Sequence, residues 1–133
     1  MKALVMVDSS IWIDFFKGVS IPPVLALFEL MDDNRIIIPP IIAQEVLQGV
    51  TEKKLVDIIE SLFFGFKFIS YDPYEAALGA ADLYRKLQLK GITVRSSNDA
   101  LIAWICINFN LPVLHNDRDF DNMAKHTSLK IYK

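Results

Sequence analysis

Residues 3–7 form an unbroken apolar run, Ala-Leu-Val-Met-Val, and Asp8-Ser9-Ser10 follow at once. A strand with one wet face alternates polar and apolar residues. A run without alternation suits a strand buried on both faces, as in a parallel sheet covered by helices. Asp and Ser are helix-opening residues, because their side-chain oxygens accept the unpaired amide protons of a first turn. A doubly buried strand that passes directly into a helix start predicts an α/β layout.

The rest of the chain repeats that alternation. Ile11, Trp12, Phe15 and Phe16 form a wide helical face that Gly18 ends, and Pro22-Pro23 open a second helix closed by Asp32-Asp33-Asn34. Residues 35–38 read as a strand. Pro39-Pro40 start a helix over 41–48 that Gly49 closes, and Thr51 is the expected cap of the next, whose buried stripe is Leu55, Ile58, Ile59 and Leu62. A short strand over 66–70, a long helix from Pro73 to Leu89 and an extended or turn segment over 92–94 follow. The helix over 98–109 is apolar nearly all round and belongs in the core or in a subunit interface. Residues 113–114 read as a strand, about 119–125 as a short helix and 129–132 as a last strand. The expectation is a single domain over 1–133, a three-layer α/β/α fold with a mainly parallel central sheet.

With 133 residues, 53% of them hydrophobic, the chain can bury one core and retain apolar surface for a partner. Fourteen Lys and Arg against 16 Asp and Glu leave a net charge of -2, which excludes a generic basic coat for nucleic acid but not a localised site. The lone Cys106 excludes a disulfide framework and a cysteine zinc cluster, and reads as a buried reduced thiol. The apolar run before Asp8 is too short for a signal peptide or a membrane span, so a cytoplasmic protein is expected.

Ligands of open parallel sheets sit beyond the carboxyl ends of the strands. Asp8 directly follows the first strand and Asp117 lies three residues after Leu114. Asp99 falls in the first turn of the apolar helix, and Glu45 lies in a helix otherwise occupied by Ile41, Ile42, Val46 and Leu47. Taken singly, each acid has a plain explanation: a helix cap for Asp8, a helix-dipole partner for Asp99, solvation for Asp117 and Glu45. Together at one sheet edge they repel unless a cation joins them, and hard oxygen ligands favour Mg²⁺ or Mn²⁺ over zinc.

Four blocks carry a resemblance that covers essentially the whole chain: Val7-Asp8-Ser9-Ser10-Ile11-Trp12-Ile13-Asp14-Phe15-Phe16-Lys17-Gly18, Gln44-Glu45-Val46-Leu47-Gln48-Gly49, Asn98-Asp99-Ala100-Leu101-Ile102-Ala103 and Leu114-His115-Asn116-Asp117-Arg118-Asp119-Phe120. In this order and spacing they resemble the signature of a PIN-domain ribonuclease and, more narrowly, the VapC toxins of VapBC toxin-antitoxin pairs. The resemblance implies a PIN-like fold and an active-site quartet of Asp8, Glu45, Asp99 and Asp117. It further implies a homodimer in complex with a VapB-type antitoxin whose C-terminal segment covers the site. Many family members carry Thr where His115 stands, so the hydrogen bond that Thr would make is left open, and a structural role for His115 is the commoner case. Asp119 is expected at the periphery.

RNA phosphodiester hydrolysis needs an activated water, neutralised phosphoryl charge and help for the leaving oxygen, all of which carboxylate-held Mg²⁺ can supply, with Mn²⁺ as substitute. Asp8, Asp99 and Asp117 are the expected metal ligands. Glu45 would bind through water or accept the nucleophile's proton, and Ser9 would bond a metal water, Asp99 or only the helix turn. Arg95 and Arg118 stand near enough in sequence to hold a flanking phosphate. Trp12 and Phe16 are the expected interface residues of the first helix, with Ile11 and Phe15 in the core. The competing reading is a catalytically inactive PIN-like module for RNA or protein binding; the four acids disfavour it, since without a metal they cost stability and repel RNA. Haloacid-dehalogenase and receiver phosphotransfer also use an Asp after a first strand. Asp8-Ser9-Ser10 lacks the second Asp of the former, and the receiver's acidic pair and late Lys are absent.

Overall fold

The computed structural model describes residues 2–133. Its elements are β1 (Val5–Val7), α1 (Ser9–Phe16), α2 (Pro22–Asp32), β2 (Ile36–Ile38), α3 (Pro40–Gln48), α4 (Lys53–Phe64), β3 (Lys67–Phe68), α5 (Pro73–Leu89), α6 (Ser97–Asn108), β4 (Val113–Leu114) and α7 (Arg118–His126). The four strands form one sheet in the order β3-β2-β1-β4, and every pairing is parallel. Register sets Val5 beside Ile36, Met6 beside Ile37 and Val113, and Val7 beside Leu114. All residues of β1 and β2 are buried, as their unbroken apolar runs require. One helical group joins α1 to α2 and α3, and α3 to α4; the other joins α5 to α6 and α6 to α7. The result is three layers, α/β/α.

Helix boundaries follow local chemistry. Asp8 caps α1 and Asp72 caps α5, where its carboxylate accepts from the amides of Tyr74 and Glu75. Proline opens α2, α3 and α5, where a missing amide proton costs nothing. Gly91 takes φ +80° just past the end of α5, a conformation glycine adopts without strain.

Several expectations need correction. Residues 129–132 do not form a strand: Ile131 makes an isolated parallel bridge to Val113, because β4 is two residues long and offers no longer ladder. The strand over 66–70 reduces to the exposed pair Lys67–Phe68 at the sheet edge. Thr51 caps nothing; Glu52 is the cap residue of α4, without a side-chain cap bond. Trp12 is fully buried rather than at an interface, stacked on Phe16 at 6.1 Å and set against Phe63 at 5.0 Å. Phe15 and Phe16 are both half-buried, so the division of this face into core and surface fell elsewhere than expected. Among the described residues no helix is long and apolar enough to cross a membrane.

Candidate active site

The strand order reverses at β1: the connection to β2 leaves on one side, and β4 is added on the other. Loops after β1 and β4 therefore diverge, and a crevice opens beyond the strand ends. Asp8 stands on one side of it, its amide donating to the Leu114 carbonyl at 2.9 Å. Asp117 stands on the other, as the N-cap of α7. The first turn of α6 brings Asp99, and α3 brings Glu45.

Asp8 is 6% exposed, and its carboxylate accepts from the Ser10 hydroxyl at 2.7 Å. Burial raises its pKa above the ordinary carboxylate range, the Ser10 hydrogen bonds oppose the rise, and the Glu45 charge adds to it. Asp99 is pushed up to about 7, first by desolvation and then by the negative charges of Asp8, Asp117, Glu45 and Asp119. Asp99 thus lies within reach of the charges of the other four acids. Glu45 accepts from Asn98 Nδ2 through Oε2 at 3.2 Å, while its Oε1 is buried with no hydrogen-bond partner among the described residues.

Asp119 is more central than expected. It is 7% exposed, and one oxygen from each of Asp99, Asp117 and Asp119 falls within 4.8 Å of the others. Its charge is balanced by Arg95, whose Nε donates to Asp119 at 3.0 Å and whose Nη2 donates to Asp117 at 3.0 Å. His115 supports the same turn: Nδ1 accepts from the Asp117 amide at 2.9 Å, Nε2 faces Asp121 at 3.2 Å, and the ring lies 5.2 Å from Phe120. Its protein contacts are those of a residue that holds Asp117 in place.

Asp8, Glu45, Asp99 and Asp117 thus meet at one crevice, with Asp119 as a fifth acid. The hydroxyl on Asp8 belongs to Ser10, whereas Ser9 makes no side-chain hydrogen bond among the described residues. Ser10 had a signal in the helix-opening triplet, and Asn98 one in its place beside Asp99; neither signal named the partner. Arg118 is exposed and pairs with no acid among the described residues. A buried carboxylate oxygen without a partner and a donor set made only of carboxylates both fit a divalent cation of the hard kind.

A parallel sheet that gathers carboxylates beyond its strand ends is a scaffold suited to divalent-metal chemistry. The chain belongs to the PIN-domain family, whose model matches residues 5–126. Within that family it is 30% identical over 129 residues, 96% of each chain, to VapC ribonuclease Mb1587 of Mycobacterium bovis and, to the same degree, to Ribonuclease VapC11 of Mycobacterium tuberculosis. Solved structures share the fold. The VapBC2 structure from Rickettsia felis, bound to a DNA fragment from its promoter, superposes with a TM-score of 0.75 at 20% identity over 97% of both chains. DNA-bound VapBC from Salmonella typhimurium gives 0.75 at 20% identity over 98% of both.

Proposed function

We propose that this chain is a Mg²⁺-dependent endoribonuclease acting as the toxin of a type II toxin-antitoxin pair, with Asp8, Glu45, Asp99 and Asp117 as its catalytic residues. The observation that carries the reading is the convergence of Asp8, Glu45, Asp117 and Asp119 on Asp99, which is held up to about 7 by burial and their charge. Asp8, Asp99 and Asp117 would hold the metal, with Asp119 within ligand reach of Asp99 and Asp117. When bound, the ion would supply Lewis-acid chemistry, neutralising phosphoryl charge and lowering the pKa of water.

The protein's own groups do the rest. Ser10 and the Leu114 carbonyl fix Asp8 from two sides. Asn98 holds the Glu45 carboxylate in place through Oε2, and Glu45 would bind the metal through water or accept the nucleophile's proton. Attack by water on phosphorus, with the P–O3′ bond breaking and the 3′-oxygen leaving as a hydroxyl once protonated, gives 5′-phosphate and 3′-hydroxyl ends. Arg95, 63% exposed at its side chain, can turn from Asp117 and Asp119 to a substrate phosphate once a cation balances those acids. The partners are RNA, a second copy of the chain and a VapB-type antitoxin. A groove lined by Ile13, Phe16, Val46, Val50 and Leu55 is an apolar seat for the antitoxin's C-terminal segment.

The test is cleavage of an RNA pool by purified protein with Mg²⁺ or with EDTA, beside Asp8→Asn and Asp99→Asn. Both variants and EDTA should lower the rate at least about a hundredfold, as loss of a metal site does. Cutting that survives chelation, or full activity in both variants, overturns the mechanism. Expression should also arrest growth, with relief by a small protein encoded next to the gene; a chain that cuts RNA without either effect is a housekeeping nuclease.

A further inference from the structure

A cavity of about 450 Å³ opens between α5 and the start of α6, immediately beside the acidic crevice. Arg95 belongs to both: it lines the cavity and donates to Asp117 and Asp119. Ala77, Ala80 and Ala81 leave the α5 wall without bulk, and Tyr84 and Arg85 stand one helical turn further along the same wall. Among the described residues no acid lines the cavity, although the cluster of Asp99, Asp117 and Asp119 lies beside it. Among the described residues Arg85 is engaged only by an exposed Asp82 contact at 3.5 Å, which is weak enough to exchange for a phosphate.

A half-buried aromatic ring, a shallow small-residue wall and two guanidinium groups match the parts of a nucleotide: a base that stacks and a phosphate that accepts paired N–H bonds. The volume is in the range of small-molecule sites. We propose that this cavity receives the nucleotide next to the scissile phosphate of the RNA, its base against Tyr84 and its phosphate between Arg85 and Arg95. The inference rests on the ribonuclease reading and adds to it a subsite outside the acidic cluster.

Three variants test it: Tyr84→Ala, Arg85→Ala and the cavity-filling Ala81→Phe, at a position that is exposed and so tolerant of size. Arg95 stays intact, because its loss would also strip Asp117 and Asp119 of their partner. Cleavage of a mixed single-stranded RNA pool is measured as kcat and KM. Binding is measured by fluorescence anisotropy on a labelled, cleavage-resistant RNA analogue at several salt concentrations. Each variant should raise KM and Kd about tenfold with kcat little changed, and Arg85→Ala should flatten the log–log salt dependence by about 0.7. Unchanged KM and Kd in all three overturn the subsite. Loss of self-association by light scattering, alongside the weaker binding, also overturns it and assigns this face to a second copy of the chain. A wild-type protein that neither binds nor cuts RNA removes the ribonuclease reading and the subsite with it, an outcome distinct from active wild type with unaffected variants.

Discussion

Asp99 concentrates the electrostatic cost of the site. Its native pKa, about 7, lies above the ordinary 3.8, so between these values the folded chain keeps a proton that the unfolded chain has lost. The unfolded state binds fewer protons there, and stability falls as pH rises through that window. Asp8 is shifted in the same direction. In EDTA, the melting temperature should drop from about pH 4 to about pH 8, and Asp99→Asn should flatten much of that fall. Mg²⁺ should restore stability at the alkaline end, since the ion favours the ionised form. A metal-free protein whose melting temperature is level across this range contradicts the assigned charge coupling. Asp8, Asp99 and Asp117 were legible as site candidates because each sits at a strand end or helix start that the local pattern marks. The central place of Asp119 was not, because it depends on Arg95, 24 positions earlier and brought beside it by the packing of α6 and α7. The pairing of Asn98 with Glu45, 53 positions apart, was hidden for the same reason.

At the level of elements, α5 against α6 holds the site's first turn in position. Gly79 of α5 lies directly on the Trp104 indole, so that a Cβ at 79 would overlap the ring. Alanine is the better helix former by about 1 kcal/mol. The overlap should outweigh that gain, and Gly79→Ala should destabilise the protein by about 1–2 kcal/mol in denaturant titrations. Because α6 also carries Asp99, the same variant should lower RNA cleavage. A Gly79→Ala protein more stable than wild type would mean that Trp104 yields freely. The extent of α5, Pro73–Leu89, was readable from Pro73 and Gly91, since helix starts and stops act within one turn, whereas the Asp72 cap emerged only in the structure. Strand lengths were not readable in this way. An apolar run such as Ile36–Ile38 is a strand only where a neighbour supplies hydrogen bonds, and residues 129–132 meet a partner too short to extend the ladder. The burial of Trp12 was hidden for the same reason: α1 shows an apolar face wide enough for core and surface, and the Phe63 and Phe66 rings that cover Trp12 come from the end of α4 and the loop after it.

Across the whole molecule, the net charge of -2 divides unevenly. With Asp8, Glu45, Asp99, Asp117 and Asp119 set apart, 14 basic residues face 11 acidic ones. RNA should therefore meet repulsion only at the crevice, and metal should remove it. Anisotropy with a cleavage-resistant RNA should show at least about tenfold weaker binding in EDTA than in Mg²⁺. Equal affinity in both would place RNA elsewhere on the protein. The amino-acid sequence by itself determined the α/β alternation, the parallel sheet, the helix caps and the acids at strand ends, because periodicity, capping and turn chemistry act over a few residues. Only the tertiary structure decided that the order β3-β2-β1-β4 reverses at β1, that five acids from four separate segments share one crevice, and that Arg95 stands between them and the α5 cavity. These facts depend on distances between residues far apart in the chain, and such distances are set by how whole elements bury their apolar faces against one another.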